Sequence, residues 1–228
     1  MPKSKSSPAT LHRAYTLMRA HHGHQKWWPG ETPFEVCVGA ILTQNTNWAN
    51  VERAISNLKA AQVLAPRALF ELPETELAEL IRPAGYFNVK ARRLRAFLRV
   101  LVEKHGSELT SLFAGDTRAV RARLLAIHGI GPETADCLLL YAGGHASFVI
   151  DAYTQRIFNR HEWGGAESGY AELQGFCTAS LSEKPGSEIL DYWQDYHAQL
   201  VRVGKDFCRP RQPRCTACPL QSLLPRPR

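Results

Sequence analysis

The chain has 228 residues and is basic: 28 Lys and Arg against 21 Asp and Glu give a net charge of +7 with histidine neutral. That length supports one or two small domains with a real core. The charge suits a polyanion, nucleic acid first, although a basic solvated surface has the same composition. The opening MPKSKSSPAT is expected to be a short disordered arm, with none of the apolar run a signal peptide needs. No stretch approaches the roughly 18 apolar residues of a membrane span, so a soluble, intracellular chain is expected.

Apolar residues recur at helical spacing almost throughout. TLHRAYTLMRAHHG reads as a first helix. FEVCVGAILTQNTNWANVERAISNLKAA reads as two helices broken around Gln44–Asn47. ETELAELIRPAG is a helix stopped by Pro83 and Gly85, and VKARRLRAFLRVLVEKHG one closed by Gly106. DTRAVRARLLAIHG has Asp116 as N-cap and Gly129 at its end. PETADCLLLYAGG follows, with Pro132 suited to the first helical position. DAYTQRIFNRH, GYAELQGFCTASL and EILDYWQDYHAQLVRVGKDFC complete the set. The one strand-like run, SFVID, is too short to found a sheet, so the expected fold is all-α.

A helix ending at Gly129 and another opening at Pro132 predict a hairpin of two or three residues. Glycine tolerates the tight turn, and bare positions 129 and 131 let an outside group reach the backbone. Ile130 between them can tuck into the core. Free N–H groups at the start of the second helix then form an anion site, which on DNA is a phosphate site. An ordinary helical hairpin also favours Gly and Pro.

Trp27, Trp28, Pro29 and Trp48 concentrate aromatic surface near loops. Such faces can stack on a flipped base, or they can pack the core. Lys90, Arg92 and Arg93 suit phosphate contacts or a solvated helix face.

Of six cysteines, Cys37, Cys137 and Cys177 are scattered and read as buried thiols, while Cys208, Cys215 and Cys218 cluster as C-x6-C-x2-C. The cluster reads as a metal site. Iron–sulfur, zinc with one further ligand, and a loop that has lost its metal all remain open. Arg209, Arg211 and Arg214 interleave it and offer charge to phosphates.

Taken in order, LLAIHGIGPETADCLLLYAGGHASFVIDAYTQRIFNRH, GAILTQNT, IRPAGYFNVKARRL and CRPRQPRCTACPL resemble the endonuclease III superfamily of DNA glycosylases, over about Trp27 to Cys218. The resemblance implies a two-lobed helical fold. Its parts would be residues 1–30, packing with the C-terminal lobe; 31–148, a central bundle with the helix–hairpin–helix; and 149–228, a lobe with the cysteine loop. It implies that Asp151 is catalytic. A carboxylate opening a helix is held ionised there and can stabilise a sugar cation and orient water; a plain N-cap has the same residue type.

Bifunctional members carry a hairpin lysine that forms a Schiff base with the sugar. Here that position is Glu133, which implies a monofunctional enzyme. W-W-P, L-T-Q-N-T followed by an aromatic, and the hairpin glutamate resemble the bacterial 3-methyladenine glycosylase branch. That branch implies alkylated purines as substrates and a base pocket of Trp28, Pro29, Trp48, Glu133 and Lys205. An exposed helix end would explain Lys205 equally well. In the superfamily, the residue at Gln44 fills the gap left by the flipped nucleotide, and that at Tyr86 enters the opposite strand, although Tyr86 suits a loop anchor equally well. With Lys90, Gly129 and Gly131, these make the expected DNA contacts.

Relatives hold a [4Fe–4S] cluster with a fourth cysteine, whose place is taken here by Leu224, so the ligand set is incomplete. A histidine of the N-terminal HHGH, or a small molecule, could complete it. The implied partner is double-stranded DNA carrying a damaged base, met by a monomer in the cytoplasm, at a bacterial nucleoid, with no membrane. Two other readings stay open: a glycosylase for oxidised pyrimidines, and a silent DNA-binding module that keeps only the hairpin.

Overall fold

The computed structural model describes residues 7–26, 30–164, 168–184 and 186–225. The N-terminal arm, Trp27, Trp28 and Pro29 lie outside the described residues. The fold is all-α, and no strand forms among the described residues. In chain order the helices are α1 (Pro8–His22), α2 (Pro33–Leu42), α3 (Trp48–Ala60), α4 (Pro66–Glu71), α5 (Glu74–Leu80), α6 (Phe87–Arg99), α7 (Leu109–Leu112), α8 (Thr117–Leu125), α9 (Pro132–Tyr141), α10 (Ala152–Arg160), α11 (Tyr170–Leu181) and α12 (Gly186–Asp206). The strand-like SFVID forms no strand, and Phe148, Val149 and Ile150 are wholly buried.

The chain divides into two compact units: residues 28–145, and residues 1–27 together with 146–228. In the first, helix starts follow side-chain capping chemistry. Thr32 Oγ1 accepts the Glu35 N–H at 3.1 Å, Asn47 Oδ1 the Asn50 N–H at 3.1 Å, and Asp116 Oδ1 the Ala119 N–H at 3.0 Å. The apolar α2 is buried along its length, and its core extends through Leu58, Leu94, Phe97, Leu138 and Leu139. Each such side chain withdrawn from water contributes about 1.5–3 kcal/mol. Arg121 of α8 grips the buried Asp136 of α9 with two bonds, Nε–Oδ1 at 2.8 Å and Nη2–Oδ2 at 2.9 Å. This bidentate pair sets the register of the two helices.

In the second unit, α1 packs its buried Leu11, Ala14 and Met18 against α11 and α12. The Tyr15 hydroxyl donates to Asp195 Oδ2 at 2.7 Å, and the Tyr196 hydroxyl to the Leu11 carbonyl at 2.9 Å. Helix α10 lies on α12, where Gly204 makes room for the Tyr153 ring: a Cβ there would stand 2.3 Å from Tyr153 Cδ1.

Candidate active site

Within residues 146–228, Asp151 is the N-cap of α10. Its Oδ1 accepts the Thr154 N–H at 2.7 Å, and its Oδ2 lies 3.6 Å from His197 Nε2 of α12. Only 9% of the residue is exposed. Burial pushes the carboxyl up, but the His197 ring and the Thr154 groups outweigh it and hold Asp151 below the usual carboxylate range. The arrangement keeps an anion ionised in a largely dry place. His197, itself buried, was not singled out in the sequence. Its signal was faint: Asp195, His197 and Gln199 interrupt the apolar face of α12, and all three are buried. Lys205 is exposed in the last turn of the same helix.

Within residues 28–145, the hairpin is longer than the sequence suggests. Helix α8 ends at Leu125, so residues 126–131 connect it to α9. Gly129 stands at φ +86°, where a Cβ would lie 2.2 Å from Arg93 Cγ. Gly131, the N-cap of α9, has φ −90°, needs no glycine for its backbone, and has open space on its Cβ side. Ile130 is buried in the core and anchors the loop. Pro132 takes the first helical position, and Glu133 is exposed in the first turn of α9.

Gln44 is turned into this loop. Its Nε2 donates to the Gly129 carbonyl at 3.0 Å and to Thr134 Oγ1 at 2.9 Å, and its Oε1 accepts from Arg93. In this arrangement its amide ties the 43–47 turn to the hairpin. Arg93 is half-buried beneath Gly129, and Arg92 is exposed. Tyr86 is 73% exposed and sits at φ +47°, an uncommon conformation for an aromatic residue. It follows Gly85 at φ +68° and precedes α6, so two successive left-handed residues lift its ring into solvent.

One expectation needs correction. Lys90 is not a surface cation: it is 1% exposed, and its Nζ donates to the Leu42 carbonyl at 2.8 Å and the Ala84 carbonyl at 2.7 Å. Burial, with a smaller push from Arg93, lowers its pKa to about 8. Lys90 is a strut between the end of α2 and the 82–84 turn, and is not placed to meet a phosphate. Trp48 is half-buried with its ring over Gly39, where a Cβ would lie 3.3 Å from Cη2, and its Nε1 donates to Glu52 Oε1 at 2.7 Å. Its ring therefore packs largely against its own unit. Trp28 and Pro29, the other aromatic-pocket residues, lie outside the described residues.

Cys208, Cys215 and Cys218 line one pocket, together with Arg160, His161, Val203, Phe207, Gln221 and Leu224. Arg160 Nη1 donates to Cys208 Sγ at 3.0 Å, and Arg156 Nε to the Cys208 carbonyl at 2.6 Å. The N-terminal histidines are engaged elsewhere. His22 Nδ1 pairs with Gln199 Oε1 at 3.1 Å and His24 Nε2 with Asp191 at 3.1 Å. Among the described residues, no three Cys, His, Asp or Glu side chains are grouped so as to hold a single metal ion. None of the six cysteines, all among the described residues, forms a disulfide.

A helical hairpin opening on bare backbone, followed by an aspartate capping the next helix, is the pattern of base-excision glycosylases, and comparison with known proteins agrees. Residues 38–180 match the family model described as HhH-GPD superfamily base excision DNA repair protein, and the chain belongs to that superfamily. A Methanocaldococcus jannaschii protein provisionally named a DNA repair glycosylase is 43% identical over 214 residues, 93% of this chain and 94% of its own. Endonuclease III of Thermotoga maritima is 27% identical over 83% of this chain and 81% of its own. Among solved structures, Helicobacter pylori 3-methyladenine DNA glycosylase bound to 1,N6-ethenoadenine superposes with a TM-score of 0.75 at 27% identity, covering 88% of this chain and 97% of that one. An endonuclease III–DNA complex shares the fold with a TM-score of 0.79 at 20% identity, over 96% and 95%. The chain is thus a DNA repair glycosylase of this superfamily. Among the described residues, no helix is long and apolar enough to cross a membrane.

Proposed function

We propose that the protein is a monofunctional DNA N-glycosylase that flips out alkylated purines and hydrolyses their bond to deoxyribose. The observation that carries this reading is the Asp151 carboxylate, buried, capped by the Thr154 N–H and faced by His197. As the base departs, positive charge builds on the sugar. A pre-placed anion stabilises that charge without reorganising, and it can accept a proton from the attacking water. Glu133 narrows the chemistry: no lysine occurs between residues 126 and 135, so the hairpin offers no amine for an imine. An alkylated purine carries positive charge and leaves readily, so it needs stacking more than acid catalysis. Trp28, Pro29, Trp48, Glu133 and Lys205 form the proposed base pocket. The hairpin backbone at Gly129 and Gly131 is the proposed phosphate contact, with Gln44 and Tyr86 filling the gap on flipping. The likeness to a glycosylase solved with an ethenoadenine supports the choice of purine.

The cysteine loop fits an iron–sulfur cluster better than a single ion. A single zinc would draw its donors to about 2.0–2.3 Å from one point, whereas three thiols spread around one pocket suit a group of several atoms. Cys208, Cys215 and Cys218 would hold the cluster, and the Arg160 N–H on Cys208 Sγ matches the hydrogen bonds such sulfurs receive. When bound, the cluster would cross-link the loop and could exchange an electron; base hydrolysis requires no electron transfer. The loop also presents Arg209, Arg211 and Arg214 for phosphates.

Purified protein incubated with methylated duplex DNA should release 3-methylated purines and leave the strand uncut until alkali is added. Asp151→Asn, which keeps the cap's shape, should slow single-turnover release by roughly 10²-fold and leave DNA affinity level or higher. Strand cleavage coupled to release, or release of oxidised pyrimidines alone, would overturn the assignment. Wild-type release by Asp151→Asn would reduce Asp151 to a helix cap.

A further inference from the structure

We infer that His161 is the fourth ligand of the cysteine-loop cluster. This rests on the iron–sulfur reading above. The position that completes the four-cysteine pattern is Leu224, which has no donor atom, yet it lines the same pocket as the three cysteines. Of the other lining side chains, Val203 and Phe207 have no ligating atom, Arg160 presents N–H groups and no acceptor, and Gln221 offers only a hard amide oxygen. His161 is the one remaining group with a lone pair suited to iron.

Its environment fits the role. The residue caps the C-terminus of α10 and is 7% exposed. Its Nδ1 lies 3.1 Å from the Leu223 carbonyl oxygen. A carbonyl can only accept, so Nδ1 carries the proton and Nε2 carries the lone pair. Nε2 makes no hydrogen bond to any described residue. Ligating histidines commonly have this arrangement, one ring nitrogen donating to a backbone carbonyl while the other binds metal. The ring packs on Trp163, with centroids 4.6 Å apart and planes at 35°, which fixes its orientation. The partner carbonyl belongs to the residue beside Leu224, so the imidazole stands at the turn where the missing ligand would be. The histidines of the HHGH segment, the donors the sequence suggested, do not line the pocket.

The full-length protein, purified without air and reconstituted with iron and sulfide, provides the test. Wild type should hold four irons per chain, and its reduced cluster should show a nitrogen hyperfine coupling that changes when histidine is labelled with nitrogen-15. His161→Cys should keep four irons, lose that coupling and shift to a lower reduction potential, since thiolate stabilises the oxidised cluster more than imidazole does. His161→Ala should lose one iron or the cluster; circular dichroism checks its fold. A four-iron wild type without nitrogen coupling, or coupling that survives in His161→Cys, would overturn the ligand assignment while leaving the cluster in place. A wild type that takes up no iron would remove the cluster reading itself, and this inference with it, without touching the Asp151 chemistry.

Discussion

Asp151 shows how a single carboxylate is prepared by two neighbours. Burial alone would raise its pKa; His197 and the Thr154 N–H reverse the balance, and the net effect is a lowered pKa. The folded carboxyl therefore titrates below its unfolded value. Its contribution to stability is fully present above the unfolded pKa and is lost as pH falls through the folded one. His197→Gln removes the larger of the opposing influences and leaves burial in control. The acid limb of the base-release profile should then move to higher pH, with release near the alkaline plateau changed much less. An unshifted acid limb would show that His197 only fills space. The sequence exposed Asp151 through its position before α10, because a cap is local. His197 lies on a distant helix and left only a polar break in an apolar face. Lys90 misled for a related reason: in VKARRL it is indistinguishable from Arg92 and Arg93, and only the meeting of the Leu42 and Ala84 carbonyls buries it.

The hairpin gives its two glycines different duties. Gly129 serves the fold: at φ +86°, over the stem of Arg93, it admits no side chain. Gly131 has an ordinary φ and open space, so its bareness serves whatever approaches from outside. Gly129→Ala should cost about 2 kcal/mol or more in stability through the left-handed backbone, with further loss as Arg93 moves and releases Gln44. Gly131→Ala should stay within about 0.5 kcal/mol of wild type in stability, yet weaken binding to undamaged duplex by roughly tenfold, equivalent to about 1.4 kcal/mol, because a methyl group then stands where a phosphate would approach. Denaturant titrations set beside affinity measurements separate the two; a Gly131→Ala protein that binds DNA normally would remove the phosphate role. The capped helices α3 and α10 and the long α12 were legible in the sequence. The six-residue α4 and four-residue α7 were not, since neither spans two turns of periodicity. The hairpin looked two or three residues long because AIHG continues the helical pattern of α8; the chain leaves the helix early so that Ile127 and Ile130 can both enter the core.

The unit that carries Asp151 is assembled from both ends of the chain. Its N-terminal piece is not a loose appendage. Leu11, Ala14 and Met18 are wholly buried, and Tyr15 and the Gln25 N–H both donate to the buried Asp195, at 2.7 Å each. A carboxylate so deep depends on those donors. The seat of the Asp151–His197 pair, on α10 and α12, thus depends on a helix encoded at the far end of the sequence. Leu11→Ala should cost about 3 kcal/mol, within the range for emptying a buried leucine site. Because α1 packs on both α11 and α12, amide hydrogen exchange should accelerate along those two helices as well as in α1. If exchange rose in α1 alone, that helix would be fraying independently, and the C-terminal helices would hold the Asp151 pocket without it.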